Sequence, residues 1–209
     1  MGSLFITFEG IEGCGKSTQS KLLNNLLLEE GYQVLLTREP GGPNISEKIR
    51  HILLDNANKE MTAETEILLY MAARAQHTAE WIIPALENDS VVICDRYYDS
   101  TFAYQGNARK IDTDTIKCMN SFATGNKVPD VTFYIDIPVE VSFQRIKDKN
   151  PDRLENESPA FHEKVKNGFD QLLIDNPDRF IRIDGLLNIE EIHNKIKEII
   201  LWKIEEGNK

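Results

Sequence analysis

Short apolar runs alternate with amphipathic stretches along the chain. Leu4-Phe5-Ile6-Thr7-Phe8 is apolar, aromatic and β-branched, which predicts a buried strand. Beyond Gly10 to Ser17, a helical pattern puts Leu22, Leu23, Leu26 and Leu27 on one face, with Gly31 as its stop. Gln33 to Thr37 predicts a second strand, and Arg38 to Pro43 is a dense turn. Asn44, with Glu47 three residues on, forms a capping-box pattern and opens a helix through Ile45, Ile49, Ile52 and Leu53. Asp55 to Lys59 is polar and predicts a loop. A long helix is expected from about Thr62 to Glu87, and Pro84 should bend or end it.

Val91-Val92-Ile93-Cys94 is apolar at every position, as suits a central parallel strand covered on both faces. It runs directly into Asp95-Arg96. Helices are predicted over Ile111 to Phe122, Val139 to Ile146 and Ser158 to Leu173, and strands over Asp130 to Ile137 and Arg179 to Asp184. Asn188 caps a last helix with Ile189, Ile192, Ile196, Ile199 and Ile200 on one side. Strands alternating with helices predict an α/β fold, a five-stranded parallel sheet flanked by helices on both faces. Ligands of such sheets sit outside the carboxyl ends of the strands. That rule gathers the Gly10–Ser17 loop, Arg38-Glu39, Asp95-Arg96 and Asp136 along one edge.

The chain has 209 residues, enough for one domain with a full core. A formal net charge of -10 argues against nucleic acid as the main partner, but leaves room for a nucleotide held by a local basic cluster. Cys14, Cys94 and Cys118 lack metal or disulfide spacing, and the N-terminus lacks a secretory pattern; together they predict a cytoplasmic protein. The myristoylation pattern fails because Ile6 stands where Ser or Thr is needed. The longest uncharged apolar run, Ile67 to Ala73, is too short to span a bilayer, so no membrane is expected as a partner.

The strongest motif is Gly10-Ile11-Glu12-Gly13-Cys14-Gly15-Lys16-Ser17, which fits G-x-x-x-x-G-K-[ST]. Its glycines let successive backbone N–H groups point at phosphate oxygens. Lys16 supplies a point charge to the phosphates, Ser17 offers a hydroxyl to magnesium, and the following helix adds the positive end of its dipole. Asp95 can hold magnesium directly or through water, and Arg96 can grip a second phosphate bidentately. Alternatively, the dipeptide is an ion pair at a strand end. Arg74 lies among small apolar residues with Tyr70 one turn before it, so both can reach one pocket as a base-binding pair. His51, His77, His162 and His193 show no ligand spacing and are expected at the surface or as caps. Phosphoryl transfer needs no role for Cys14.

These motifs together resemble the thymidylate kinase family, within the nucleoside monophosphate kinase group of P-loop proteins. The resemblance runs nearly end to end. It covers Phe8-Glu9-Gly10 into the loop, Thr37 to Gly42, Ala72-Ala73-Arg74-Ala75-Gln76, Asp95-Arg96-Tyr97, Ser100 to Gly106 and Asp152-Arg153-Leu154-Glu155. It implies one P-loop kinase domain over 1–209, with a lid at approximately 147–158, that transfers the ATP γ-phosphoryl group to dTMP. It also implies a magnesium ion served by Ser17 and Asp95, and a homodimer built on helices beside the sheet. ATP would rest on Gly10, Ile11, Glu12, Gly13, Cys14, Gly15, Lys16, Ser17 and Thr18, with Arg145 stacking on adenine. Arg96 would bind the dTMP phosphate, and Glu12 would sit near the sugar 3′-hydroxyl and the phosphates. Tyr70 would stack on thymine and Arg74 donate to a thymine carbonyl. Thr101 and Gln105 would bind the base edge, Tyr104 would crowd the sugar 2′ position, and Arg38 and Arg50 would border the acceptor site.

One departure separates branches of the family. Some relatives carry a basic residue in the loop where this chain has Gly13, whereas the bacterial-type branch delivers its arginine from the lid. This chain has Lys147, Lys149 and Arg153 there, and Arg153 matches by position. The resemblance thus makes Lys16, Glu12, Arg96 and Arg153 the catalytic set. Such an arginine is worth roughly 10³–10⁵ in rate.

Three rivals remain to be weighed. A GTP switch needs Asn-Lys-x-Asp, but Asn126-Lys127-Val128-Pro129-Asp130 brings its aspartate one residue late. Deoxynucleoside kinases carry Glu-Arg-Ser where this chain has Asp95-Arg96-Tyr97. A kinase of UMP or CMP is the closest alternative.

Overall fold

A computed structural model describes residues 2–147 and 150–207. Five strands of the described residues form one sheet: β1 (Leu4–Glu9), β2 (Val34–Arg38), β3 (Val91–Asp95), β4 (Val131–Asp136) and β5 (Phe180–Asp184). Their order is β2-β3-β1-β4-β5, and every pairing is parallel. The expected architecture is therefore present, and the strand ends differ from the sequence reading by a residue or so.

Side chains alternate across the sheet. Phe5 of β1 with Val92 and Cys94 of β3 packs on one face, against Ile82 and Tyr97. Ile6 and Phe8, with Val91, Ile93 and Phe133, belong to the larger core on the other face. This two-sided burial is why the β3 run carries no polar residue before Asp95.

The helices are α1 (Lys16–Glu29), α2 (Asn44–Leu54), α3 (Ala63–His77), α4 (Ile83–Glu87), α5 (Tyr98–Thr101), α6 (Thr113–Thr124), α7 (Val139–Ile146), α8 (Pro159–Asp175) and α9 (Ile189–Gly207). Three local expectations change. First, Pro84 does not end the long helix. A π-helical turn, Thr78–Ile82, precedes it, and Ile83 N–H bonds to the Thr78 carbonyl. The wider turn loosens the carbonyl ladder that the proline ring would meet in a regular helix. Second, the N-cap of α2 is Pro43, with no side-chain cap. Glu47 reaches back instead to the Gly42 N–H at 2.7 Å and to Arg38. Third, Ile189 is 59% exposed, although Ile192, Ile196 and Ile200 are buried as the periodicity predicts.

Sequence periodicity did not reveal a second π segment, Phe102–Ala108, which follows α5 without a break. Helix α8 lies closely over it: a Cβ on Gly168 would stand 2.8 Å from the Ala103 Cα. This packing holds Tyr104 and Gln105 in place beneath the helix that follows the predicted lid.

Candidate functional site

The carboxyl ends of β1 and β3 meet at the Gly10–Ser17 loop. Gly10, Gly13 and Gly15 have φ of +136°, +70° and +109°, a region L side chains rarely adopt. A Cβ on Gly10 would also stand 2.5 Å from the Ile135 carbonyl oxygen of β4. The loop can therefore run this close to the sheet only as glycine. The ammonium of Lys16 folds across the loop, donating to the Gly10 and Ile11 carbonyls at 3.0 and 2.9 Å. Cys14 is buried, 3.5 Å from the same nitrogen. Ser17 and Thr18 are exposed at the start of α1.

The Ser17 hydroxyl donates to Asp95 Oδ2. A hydroxyl and a carboxylate are hard oxygen donors of the kind magnesium takes, alongside water and phosphate. Among the described residues, no group of three or more His, Cys, Asp or Glu could hold a metal by itself.

Arg96 is the centre of the second cluster. It sits at φ +69°, and its N–H bonds to the Phe8 carbonyl at 2.9 Å. Its guanidinium donates to the Gly10 carbonyl at 2.8 Å, Ser100 Oγ at 3.2 Å and Glu12 Oε1 at 2.6 Å. The Tyr104 hydroxyl reaches both Glu12 oxygens at 2.8 and 2.9 Å, and its ring lies under Arg96. Burial would push the Glu12 carboxyl up, but Arg96, then Lys16, hold it below its ordinary value. Behind them, Glu9 accepts from the Tyr97 N–H at 2.8 Å and the Ser100 hydroxyl at 2.6 Å, bracing the turn that carries Arg96. Burial, then Asp99, pushes the Glu9 carboxyl up to about 7.

Arg74 is 1% exposed and largely committed to the protein. It donates to Glu39 at 2.7 Å, Thr101 Oγ1 at 2.8 Å, Asn120 at 2.9 Å and the Tyr97 carbonyl at 3.2 Å. Glu39 also meets His77 Nδ1 at 3.0 Å, and His77 Nε2 lies 2.7 Å from Thr37 Oγ1. Two histidines expected at the surface or as caps are therefore core residues. His77 is fully buried in this network, and His162 is buried with Nδ1 3.7 Å from Glu12.

Lys16, Ser17, Asp95, Arg96, Glu12, Tyr104 and Arg74 line one cleft of about 240 Å³. The loop contributes Glu12, Gly13, Lys16 and Ser17; Gly10, Ile11, Cys14, Gly15 and Thr18 do not line it. All nine residues expected around the acceptor line the cleft: Glu12, Arg38, Arg50, Tyr70, Arg74, Arg96, Thr101, Tyr104 and Gln105. Arg38 pairs with Glu47 at 2.9 Å and Arg50 donates to the Pro40 carbonyl at 2.7 Å. Arg145 lies outside the cleft, donating to the Gly13 and Gly185 carbonyls at 3.2 and 3.0 Å. Asp136 pairs with Lys166 and Arg182 at 3.0 and 3.2 Å.

Arg153 does not line the cleft. Its N–H and Nε donate to the Leu54 and Leu53 carbonyls at 3.1 and 2.8 Å, and Nη2 lies 2.7 Å from Glu66. Lys149, grouped with it from sequence, lies outside the described residues. Its neighbours Asp152, Leu154 and Glu155 do line the cleft, as do Glu39 and Ser100. The sequence reading gave none of these five a role, although each belongs to a motif it had singled out. Glu66 carried no sequence signal beyond lying one turn before Tyr70.

A family model described as thymidylate kinase matches residues 8–196. The chain is 47% identical to a thymidylate kinase of Geotalea daltonii, over 98% of this chain and 99% of that one. It is 48% identical to a thymidylate kinase of Geotalea uraniireducens, over 97% of this chain and 99% of the relative. The crystal structure of a thymidylate kinase from Ehrlichia chaffeensis superposes with a TM-score of 0.78 at 35% identity, covering 96% of this chain and 99% of that one.

Proposed function

The chain belongs to the thymidylate kinase family, ATP-dependent kinases that phosphorylate dTMP to dTDP, and from that premise we propose how its residues divide the work. ATP rests on the Gly10–Ser17 loop with Thr18, its phosphates facing Lys16, and Arg145 borders the adenine. Ser17 and Asp95 would hold magnesium together with the ATP phosphates, and the ion would supply neutralisation of charge on the transferring group. The acceptor lies in the cleft with its phosphate on Arg96, its sugar between Glu12 and Tyr104, and its base against Tyr70, Arg74, Thr101 and Gln105. Arg38 and Arg50 border it.

A phosphate oxygen of dTMP attacks the γ-phosphorus in line, and the bond to the ADP oxygen breaks. That oxygen is already anionic, so no general base is needed. Catalysis is alignment plus charge neutralisation by Lys16, Arg96 and Arg153. A lid at approximately 147–158, of which residues 148 and 149 lie outside the described residues, excludes water and brings Arg153 to the γ-phosphate. The observation that carries this division is the joining of Lys16, Arg96, Glu12 and Tyr104 at one end of a single cleft with Tyr70, Arg74 and Gln105.

The single domain is further read as a homodimer. Ile45, Ile52, Leu68 and Phe122, exposed on α2, α3 and α6, support that reading. The cytoplasm is its proposed location, which suits three free cysteines. Among the described residues, no helix is long and apolar enough to cross a membrane.

A coupled assay of ADP release across dTMP, dUMP, UMP, CMP and thymidine tests the acceptor assignment. The expected order puts dTMP first and thymidine inert. Preferred turnover of UMP or CMP would overturn it.

A further inference from the structure

Glu66 has no part in the mechanism above. It lies on α3, with Tyr70 one turn and Arg74 two turns further along. It is 1% exposed, yet three side chains from other segments converge on its carboxylate. Gln105 Nε2 donates to Oε1 at 2.9 Å. Arg109 donates to Oε1 at 3.3 Å and Oε2 at 3.2 Å. Arg153 Nη2 stands 2.7 Å from Oε2. Burial would push the Glu66 carboxyl up, but the bonds from Arg109 and Gln105 and the charges around it hold it below its ordinary value. Glu66 is therefore ionised at neutral pH, and an ionised carboxylate only accepts hydrogen bonds.

That fixes the sense of a neighbouring amide. Gln105 must turn its NH₂ toward Glu66, and the carbonyl oxygen is the end left to offer to the cleft that Gln105 lines. Pyrimidines differ where such an oxygen would meet them: thymine and uracil carry a ring N–H donor at N3, whereas cytosine carries a bare acceptor nitrogen. We propose that Glu66 is a specificity-determining positioning residue, which orients the Gln105 amide so that the cleft accepts a base bearing a ring N–H and rejects cytosine. The proposal rests on the reading of Gln105 as a base-edge contact. Arg109 and Arg153 serve it by keeping Glu66 charged. Arg109 is itself placed by the Phe161 ring at 4.6 Å and by Glu157 at 2.6 Å.

The test is the ratio of kcat/KM for dTMP to that for dCMP. Glu66→Gln keeps the shape but presents both a donor and an acceptor, so the Gln105 amide can turn either way. The ratio should fall about tenfold or more. Any effect through Arg153 acts on the transferring phosphoryl group and cancels between the two acceptors. Gln105→Ala should lower the ratio by itself, and adding E66Q to it should change nothing further. Equal losses on both acceptors in E66Q, with the ratio intact, would overturn the proposal, as would an equal shift in the Gln105→Ala background. An unchanged ratio in Gln105→Ala would instead remove the base-edge contact and the proposal with it. Should E66Q fail to fold, Glu66→Asp carries the same test. It keeps the charge and draws the oxygen back from the amide, and the ratio should fall by a smaller factor.

Discussion

Arg96 and Arg153 are held by different parts of the molecule, and the difference separates a charge fixed at a strand end inside the cleft from one bound on a connection outside it. Arg96 stands at the end of β3, its N–H bonded to the Phe8 carbonyl of β1 and its backbone at φ +69°. Two central strands therefore set where its guanidinium points. Its guanidinium is held there by the Gly10 carbonyl, Ser100 and Glu12, so its positioning has been done in folding. Arg153 is held by Glu66 and by two carbonyls at the end of α2, from a segment between α7 and α8. The backbone bond to Leu54 is worth about 0.5–1.5 kcal/mol net and the guanidinium bond to Leu53 about 1.5–3 kcal/mol, whereas breaking the buried pair with Glu66 costs about 3–5 kcal/mol. One arginine belongs to the sheet scaffold and the other to the connection between α7 and α8.

The largest test is Arg96→Ala. It should cost roughly 10³-fold or more in kcat/KM for dTMP. It should also destabilise the fold, because it leaves Glu12 partly buried without its main cation. Arg96→Lys keeps the charge but loses the fork, and should recover stability more than activity. Steady-state kinetics beside urea melts separate the two effects. If Arg96→Ala lost tenfold or less, the strand-end half of the contrast would fail.

The next largest is Arg153→Ala, expected to lower kcat by roughly 10²–10³ while dTMP binding by calorimetry stays near wild type. Turnover close to wild type would break the comparison, since Arg153 would then be only a structural partner of Glu66.

The smallest effect concerns Glu9, which braces the Arg96 turn. Its carboxyl is pushed up to about 7 from an ordinary 4.5, so between those values the folded protein keeps a proton that the unfolded chain has released. Stability then falls as pH rises through that window. Glu9→Gln removes this contribution, so the difference in urea midpoint between variant and wild type should grow in the variant's favour from pH 5 to pH 8. A difference that is flat with pH would mean that Glu9 is charged throughout.

Much of this was legible in the chain. The β3 run is apolar at every position because it is buried on both faces, and that alone marks it as central. The Gly10–Ser17 spacing is local, since a loop that wraps phosphate needs its glycines and lysine within a few residues. What stayed hidden depends on contacts between distant segments. His77 looked like a surface residue because nothing near it in sequence explains burial; its partners Glu39 and Thr37 come from another strand end. The π segments were missed because one extra residue per turn leaves little trace in an apolar pattern.

By itself, then, the sequence determined the order of strands and helices, the phosphate loop, and the residues that gather at the strand ends. Periodicity and short motifs carry such information within a few turns of chain. Tertiary structure alone decided how the side chains share their hydrogen bonds. Arg74 is largely occupied by Glu39, Thr101, Asn120 and Tyr97, and Glu66 turns the Gln105 amide while it holds Arg153. Those choices depend on distances between groups 23 to 46 positions apart along the chain for Arg74 and 39 for Gln105. A donor's direction is set only when both partners are in place.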